Sequence, residues 1–141
     1  MTQRYSGSPQ RIGDLAEYLV ACDLIGQGYR IHMASPGSHY DIILDYNGRL
    51  YRVQVKGSLK PKKAKSYRFH VRGTSKHKNF DLLAYVAIDE KSIAYELTTS
   101  VNQRILSLKH FKDMTIAKAL TRLSLKEIAN TEAIEALDDT L

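Results

Sequence analysis

One cysteine, Cys22, stands in the 141 residues. That excludes an internal disulfide framework and a cysteine-based zinc site, and it fits a reducing compartment. Cys22 falls in an apolar helical run, which predicts a buried, inert thiol. The polar start MTQRYSGSPQR lacks the apolar segment of a secretory leader, and no apolar run approaches the length of a membrane span. The expectation is a cytoplasmic protein with no membrane partner. Neither internal repeats nor low-complexity tracts occur, and the length suits one domain. Acidic residues are missing from residues 49–78, where eleven Lys or Arg fall. The remainder holds ten basic against fifteen acidic residues, so the net charge of +6 is local in origin. Arg49, Arg52, Lys56, Lys60, Lys62, Lys63, Lys65, Arg68, Arg72, Lys76 and Lys78 are interleaved with Tyr51, Tyr67, Phe69, His70 and His77. Such a composition suits a surface that tracks phosphates.

The stretch YDIILDYNGRLYRVQVK, residues 40–56, predicts a β-hairpin. Asn47-Gly48 supplies the two positive-φ positions of a type I′ turn. A two-residue loop pairs Tyr46 with Arg49. Counting outward places Asp41 opposite Gln54, with Lys56 diagonal to Asp41. By period 2, Asp41, Ile43, Asp45, Leu50, Arg52, Gln54 and Lys56 share one face, and Tyr40, Ile42, Leu44, Tyr51, Val53 and Val55 share the other. The second face is core. The first gathers a carboxylate, an amide oxygen and an ammonium, which suits a divalent cation beside a positive group that holds an attacking water against a phosphate.

Around the hairpin, residues 10–27 predict a helix with Ile12, Leu15, Ala16, Leu19 and Val20 on one side, ending at Gly26 or Gly28. Glu17 lies just past the edge of that apolar arc, where a role at the hairpin is permitted. Asp23 falls inside the arc, and the pattern offers no reason for it. A short strand at Tyr29–Met33 and the loop ASPGSHY lead to Asp41. SYRFHVR alternates as a strand, DLLAYVAI reads as a strand buried on both faces, and SIAYEL as its hairpin partner. From about residue 103 the pattern predicts helix, with Ser124 and Glu127 as a capping box opening a last one. The acidic final residues are expected to be mobile or loosely docked. The five histidines, His32, His39, His70, His77 and His110, show no metal-ligand spacing on a single helix, which argues against a zinc hydrolase.

The ordered set of Gly13-x-x-x-Glu17 on a helix, Tyr40-Asp41 before a strand, a hairpin, and Gln54-x-Lys56 on the next strand resembles the PD-(D/E)XK nuclease superfamily. Within it, the setting RVQVK and the later strands NFDLLAYVAIDEKSIAYEL look like the group I intron homing endonucleases, with archaeal-type Holliday junction resolvases the alternative. The resemblance covers roughly residues 10–97, the expected catalytic core, with 103–141 as a helical C-terminal extension of a single nuclease domain. It implies an α/β fold with a restriction-endonuclease-like core: a central mixed β-sheet flanked by an N-terminal helix and C-terminal helices. It further implies that Asp41 is the principal ligand of Mg²⁺, with Mn²⁺ able to substitute. Gln54 and the Val55 carbonyl would complete the shell, Glu17 would contribute directly or through water, and Lys56 would orient or activate the water. Gln54 departs from the usual carboxylate and weakens the expected affinity for metal without DNA. Double-stranded or branched DNA would be the substrate, in a bacterial, archaeal or phage-infected cell, cut by a homodimer or homotetramer. A catalytically inactive nucleic-acid-binding module is the rival reading.

Overall fold

The computed structural model describes residues 8–59, 65–71, 80–98 and 102–139. Helix α1 (Pro9–Gly26) starts where the Ser8 side chain accepts the Arg11 N–H at 3.3 Å and Pro9 enters the first turn, where no intrahelical donor is required. It stops because Gly28 takes φ +93°. The Gly28 and Tyr29 amides then close on the carbonyls of Ile25 and Leu24.

The strands are β1 (Arg30–Met33), β2 (Ile42–Tyr46), β3 (Arg49–Ser58), β4 (Ser66–His70), β5 (Leu82–Ala87), β6 (Ser92–Leu97) and β7 (Gln103–Ser107), followed by helices α2 (Leu108–Asp113) and α3 (Ile116–Asp139). Five strands form one sheet in the order β1-β2-β3-β5-β6. Only β3 and β5 run parallel in it, so the expected mixed sheet is present. The turn holds Asn47 at φ +52° and Gly48 at +75°, and Tyr46 faces Arg49, as the Asn-Gly chemistry dictates.

The sheet buries both faces, and each has its own apolar cluster. On one face Ala16, Val20 and Leu24 of α1, with Ile116 and Leu120 of α3, cover Ile42, Leu44, Val53 and Val55. On the other, Tyr67, Phe69, Leu106 and Phe111 cover Leu83, Tyr85 and Ala94. Because β5 lies between the two, all six of its residues are buried, which accounts for its unbroken apolar run.

Three expectations are corrected. Residues 103–107 are strand β7, paired antiparallel with β4 in a separate two-stranded sheet; Ile105, Leu106 and Leu108 mimic helical spacing, but Leu106 is buried opposite Tyr67. Ser124 opens no helix, since α3 runs unbroken from Ile116 to Asp139. Its start is set by Thr115, whose Oγ1 accepts the Lys118 N–H at 3.2 Å. Cys22 is exposed because the helix buries Ala16, Val20, Ala21 and Leu24 and turns residue 22 outward. Asp23, in turn, acquires a reason: its carboxylate accepts from the Tyr95 hydroxyl of β6 at 2.5 Å and from Gln27 at 2.9 Å.

Candidate active site

The alternation along β2 fails just before the strand begins. Ile42 packs with the α1 cluster, but Tyr40 packs against the opposite cluster, correcting its expected place on the Ile42 face. The cause is local. The Asp41 amide donates to the Val53 carbonyl at 2.9 Å, and Asp41 Oδ2 accepts the Val55 N–H at 2.8 Å. A side chain thus joins one backbone bond in place of the regular ladder, and Asp41 stands just before the strand, where groups from both faces reach it.

From the α1 face comes Glu17, whose carboxyl hydrogen-bonds Asp41. Burial first, then the Asp41 charge and that hydrogen bond, with a smaller contribution from Asp14, raise the Glu17 pKa to about 7. Glu17 is therefore about half protonated at neutral pH. From β3 comes Lys56, whose pKa burial lowers from the ordinary lysine value while the Asp41 charge opposes the shift. Glu17, Asp41 and Lys56 thus form one electrostatic unit.

Gln54 follows Val53, the last β3 residue paired with β2, and stands between the two residues that Asp41 binds, Val53 and Val55. Its Oε1 is buried with no hydrogen-bond partner among the described residues, a condition that costs about 1–3 kcal/mol unless something fills it. A hard cation accepts such an oxygen as a ligand. Val55 adds a further one: its N–H points at Asp41, and an extended residue projects N–H and C=O to the same side. Among the described residues no three His, Cys, Asp or Glu side chains gather to hold a metal. A cation here would rest on two carboxylates and neutral oxygens, a set that suits a hard ion retaining part of its water.

The approach of α1 to β3 depends on Gly57. A Cβ placed there would lie 2.8 Å from Ala16 Cβ and 3.1 Å from Ile88 Cδ1. Only hydrogen fits between helix and strand, and Ala16 and Gly57 adjoin Glu17 and Lys56. Gly13, by contrast, has open space around it. The glycine that matters is the one not read from the sequence. Asp81 was also missed: its Oδ2 accepts the Arg52 N–H at 2.8 Å, tying β5 to β3 as Asp41 ties β2 to β3.

The basic residues divide. Arg49 pairs with Glu127 of α3 at 3.2 Å, and Arg52 with Asp81 at 3.4 Å. Both are drawn into the fold's own ion pairs. Lys65 and Arg68 are exposed. Lys60, Lys62, Lys63, Arg72, Lys76 and Lys78 lie outside the described residues.

The linked Glu17 proton has a measurable consequence. The folded value of about 7 lies above the unfolded 4.5, so between those pH values the folded state keeps a proton that the unfolded chain has lost. Stability conferred by this group therefore falls as pH rises through that window. Without divalent metal, Glu17→Gln should flatten the decline by about 1 kcal/mol, a figure reduced for solvent screening. Urea unfolding at fixed ionic strength reads the difference, and parallel pH curves for the two proteins would contradict the raised Glu17 pKa.

A family model for PD-(D/E)XK endonucleases matches residues 7–119. Among solved structures, the chain is similar to the bacterial homing endonuclease I-Ssp6803I. The TM-score is 0.70 at 21% identity, over 91% of this chain and 99% of that one. No curated protein sequence matches. Among the described residues no helix is long and apolar enough to cross a membrane. With the matched span taking in the helix, the hairpin and the Gln54-x-Lys56 strand, the chain belongs to the PD-(D/E)XK endonuclease family.

Proposed function

We propose that this chain is a Mg²⁺-dependent DNA endonuclease of the homing type. The observation that carries the reading is Gln54 Oε1, buried and without a hydrogen-bond partner among the described residues, beside the Glu17–Asp41 pair and Lys56. Asp41, Gln54 and the Val55 carbonyl hold the cation, with Glu17 contributing directly or through water. A divalent cation, when bound, supplies Lewis-acid polarisation of the phosphate. Lys56 holds the attacking water, and burial, by easing loss of its proton, favours its acting as the base. In-line attack leaves a 5′-phosphate and a 3′-hydroxyl. Cutting both strands requires two copies, as a homodimer or homotetramer. Leu125, Ile128, Ile134 and Leu137, exposed on α3, support such an assembly.

Homing rather than junction resolution is favoured by the likeness to I-Ssp6803I, and the products from linear, nicked and four-way DNAs decide between them. Selective cutting of the junction would overturn the homing assignment. Equal inactivity of wild type, Asp41→Ala and Lys56→Ala on plasmid DNA with Mg²⁺ or Mn²⁺, with DNA affinity kept, would favour the inactive module.

Gln54 offers a direct test of the ligand set. Restoring a charge by Gln54→Glu should tighten Mn²⁺ binding to the DNA-free protein at least tenfold by calorimetry, because a carboxylate binds a hard cation better than an amide. Unchanged affinity would remove Gln54 from the ligands.

A further inference from the structure

The second face of the sheet is covered unevenly. Strand β4 reaches β3 and helix α2 lies against β6, and the cluster they form with β7 takes no buried residue from β1, β2 or β3. On the half of the face that carries Gln54 and Lys56, Ile43, Arg52, Gln54 and Lys56 are only half-buried among the described residues. On β1, Ile31 packs toward α1, so Arg30 and His32 project to the side that carries Gln54 and Lys56. The pairing extends this across the sheet: His32 faces Ile43, which faces Arg52, and Arg30 faces Asp45, which faces Leu50. Two residues beyond Arg52 on β3 stands Gln54.

The cations of this face differ in what already holds them. Arg52 is bound to Asp81. Arg30 and His32 are exposed, and among the described residues neither forms an ion pair. From Gln54 to His32 the path crosses two strand spacings and one two-residue step, about 12 Å. That is a fraction of the roughly 34 Å turn of a duplex, so one DNA strand can touch both places. Asp45, beside Arg30, repels phosphate and directs the backbone over the His32 side.

We propose that β1 is the phosphate-holding edge of the active-site cleft, with Arg30 and His32 gripping the backbone of the DNA strand whose scissile phosphate lies at Asp41, Gln54 and Lys56. The inference rests on the endonuclease reading and adds two residues outside the basic run 49–78. It places the nucleic acid across the strands of the sheet, toward β1, and assigns the grip to groups that the fold leaves unspent.

The test is binding of a labelled linear duplex by the full chain in EDTA, followed by fluorescence anisotropy over a range of salt. Arg30→Ala should lower the slope of log K against log salt by about one, the contribution of one phosphate contact. Arg30→Lys should retain the slope, which a purely structural arginine would not predict. Adding His32→Ala to Arg30→Ala should weaken binding several-fold further. If wild type binds and the double variant matches it in affinity and slope, β1 is not the phosphate edge while the endonuclease reading stands. If wild type itself does not bind duplex DNA, both fall.

Discussion

Asparagine in place of Asp41 is expected to slow cleavage at saturating Mg²⁺ at least a thousandfold, about 4 kcal/mol of barrier, while the melting temperature moves by only a few degrees. The two halves of that expectation come from separate jobs of one carboxylate. As a structural clamp it accepts the Val55 N–H at 2.8 Å, and the asparagine amide oxygen can still do that. As the negative centre of the site it faces both Glu17 and Lys56, and the neutral amide cannot. With Gln54 already neutral, the substitution leaves Glu17 as the one carboxylate near the cation. Glu17 should then titrate lower, because the Asp41 charge and hydrogen bond that help raise it are gone. Steady-state cleavage, thermal melting and a pH titration of Glu17 by carboxyl NMR check the three parts. A stable D41N protein that retained more than a tenth of the activity would contradict the assignment.

Methionine at position 56 should be nearly as damaging. It keeps the length and apolar stem of lysine and removes only the ammonium, so the loss reports on the charge and the proton rather than on packing. Positioned acid–base groups contribute about 10²–10⁴-fold, and a fall within that range is expected, with duplex affinity changed by less than threefold. The melting temperature should stay level or rise. Burial disfavours the charged lysine, and methionine lifts that penalty. Arginine at 56 makes a useful contrast. It preserves the positive charge but cannot release a proton at working pH, so a K56R enzyme as slow as K56M supports proton transfer, whereas substantial rescue indicates that charge alone suffices.

Much of this geometry is readable before folding, and the reason is that it is local. The Asn47-Gly48 turn fixes a register by chain geometry alone, and the register carries Gln54 and Lys56 to one face without reference to the rest of the molecule. Asp41 was placed near them on the same grounds, although the alternation used to place it breaks at Tyr40, because a side-chain clamp on Val55 joins one backbone bond there in place of the regular ladder. What was not legible depends on contacts distant in sequence. Strand β7 exists because Leu106 meets Tyr67 and Arg104 meets Phe69, and nothing within RILSLKH announces a partner some forty residues earlier. The same holds for Asp23, an acid on an apolar helix face until Tyr95 arrives from β6. Glu17 was permitted by helical spacing but not required by it, since its role depends on how closely α1 settles on β3.

That closeness is governed by a single hydrogen atom, the one Gly57 carries in place of a methyl group. Anyone diversifying this scaffold for new cutting preferences would find position 57 intolerant for a reason unrelated to DNA. Even alanine would wedge the packed layers apart, at a cost of about 1–3 kcal/mol, and swing Glu17 out of register with its neighbours. Robustness and the placement of Glu17 are thus welded at this point, so a screen that selects for solubility alone will also, without intending to, select for an intact Glu17–Asp41–Lys56 arrangement.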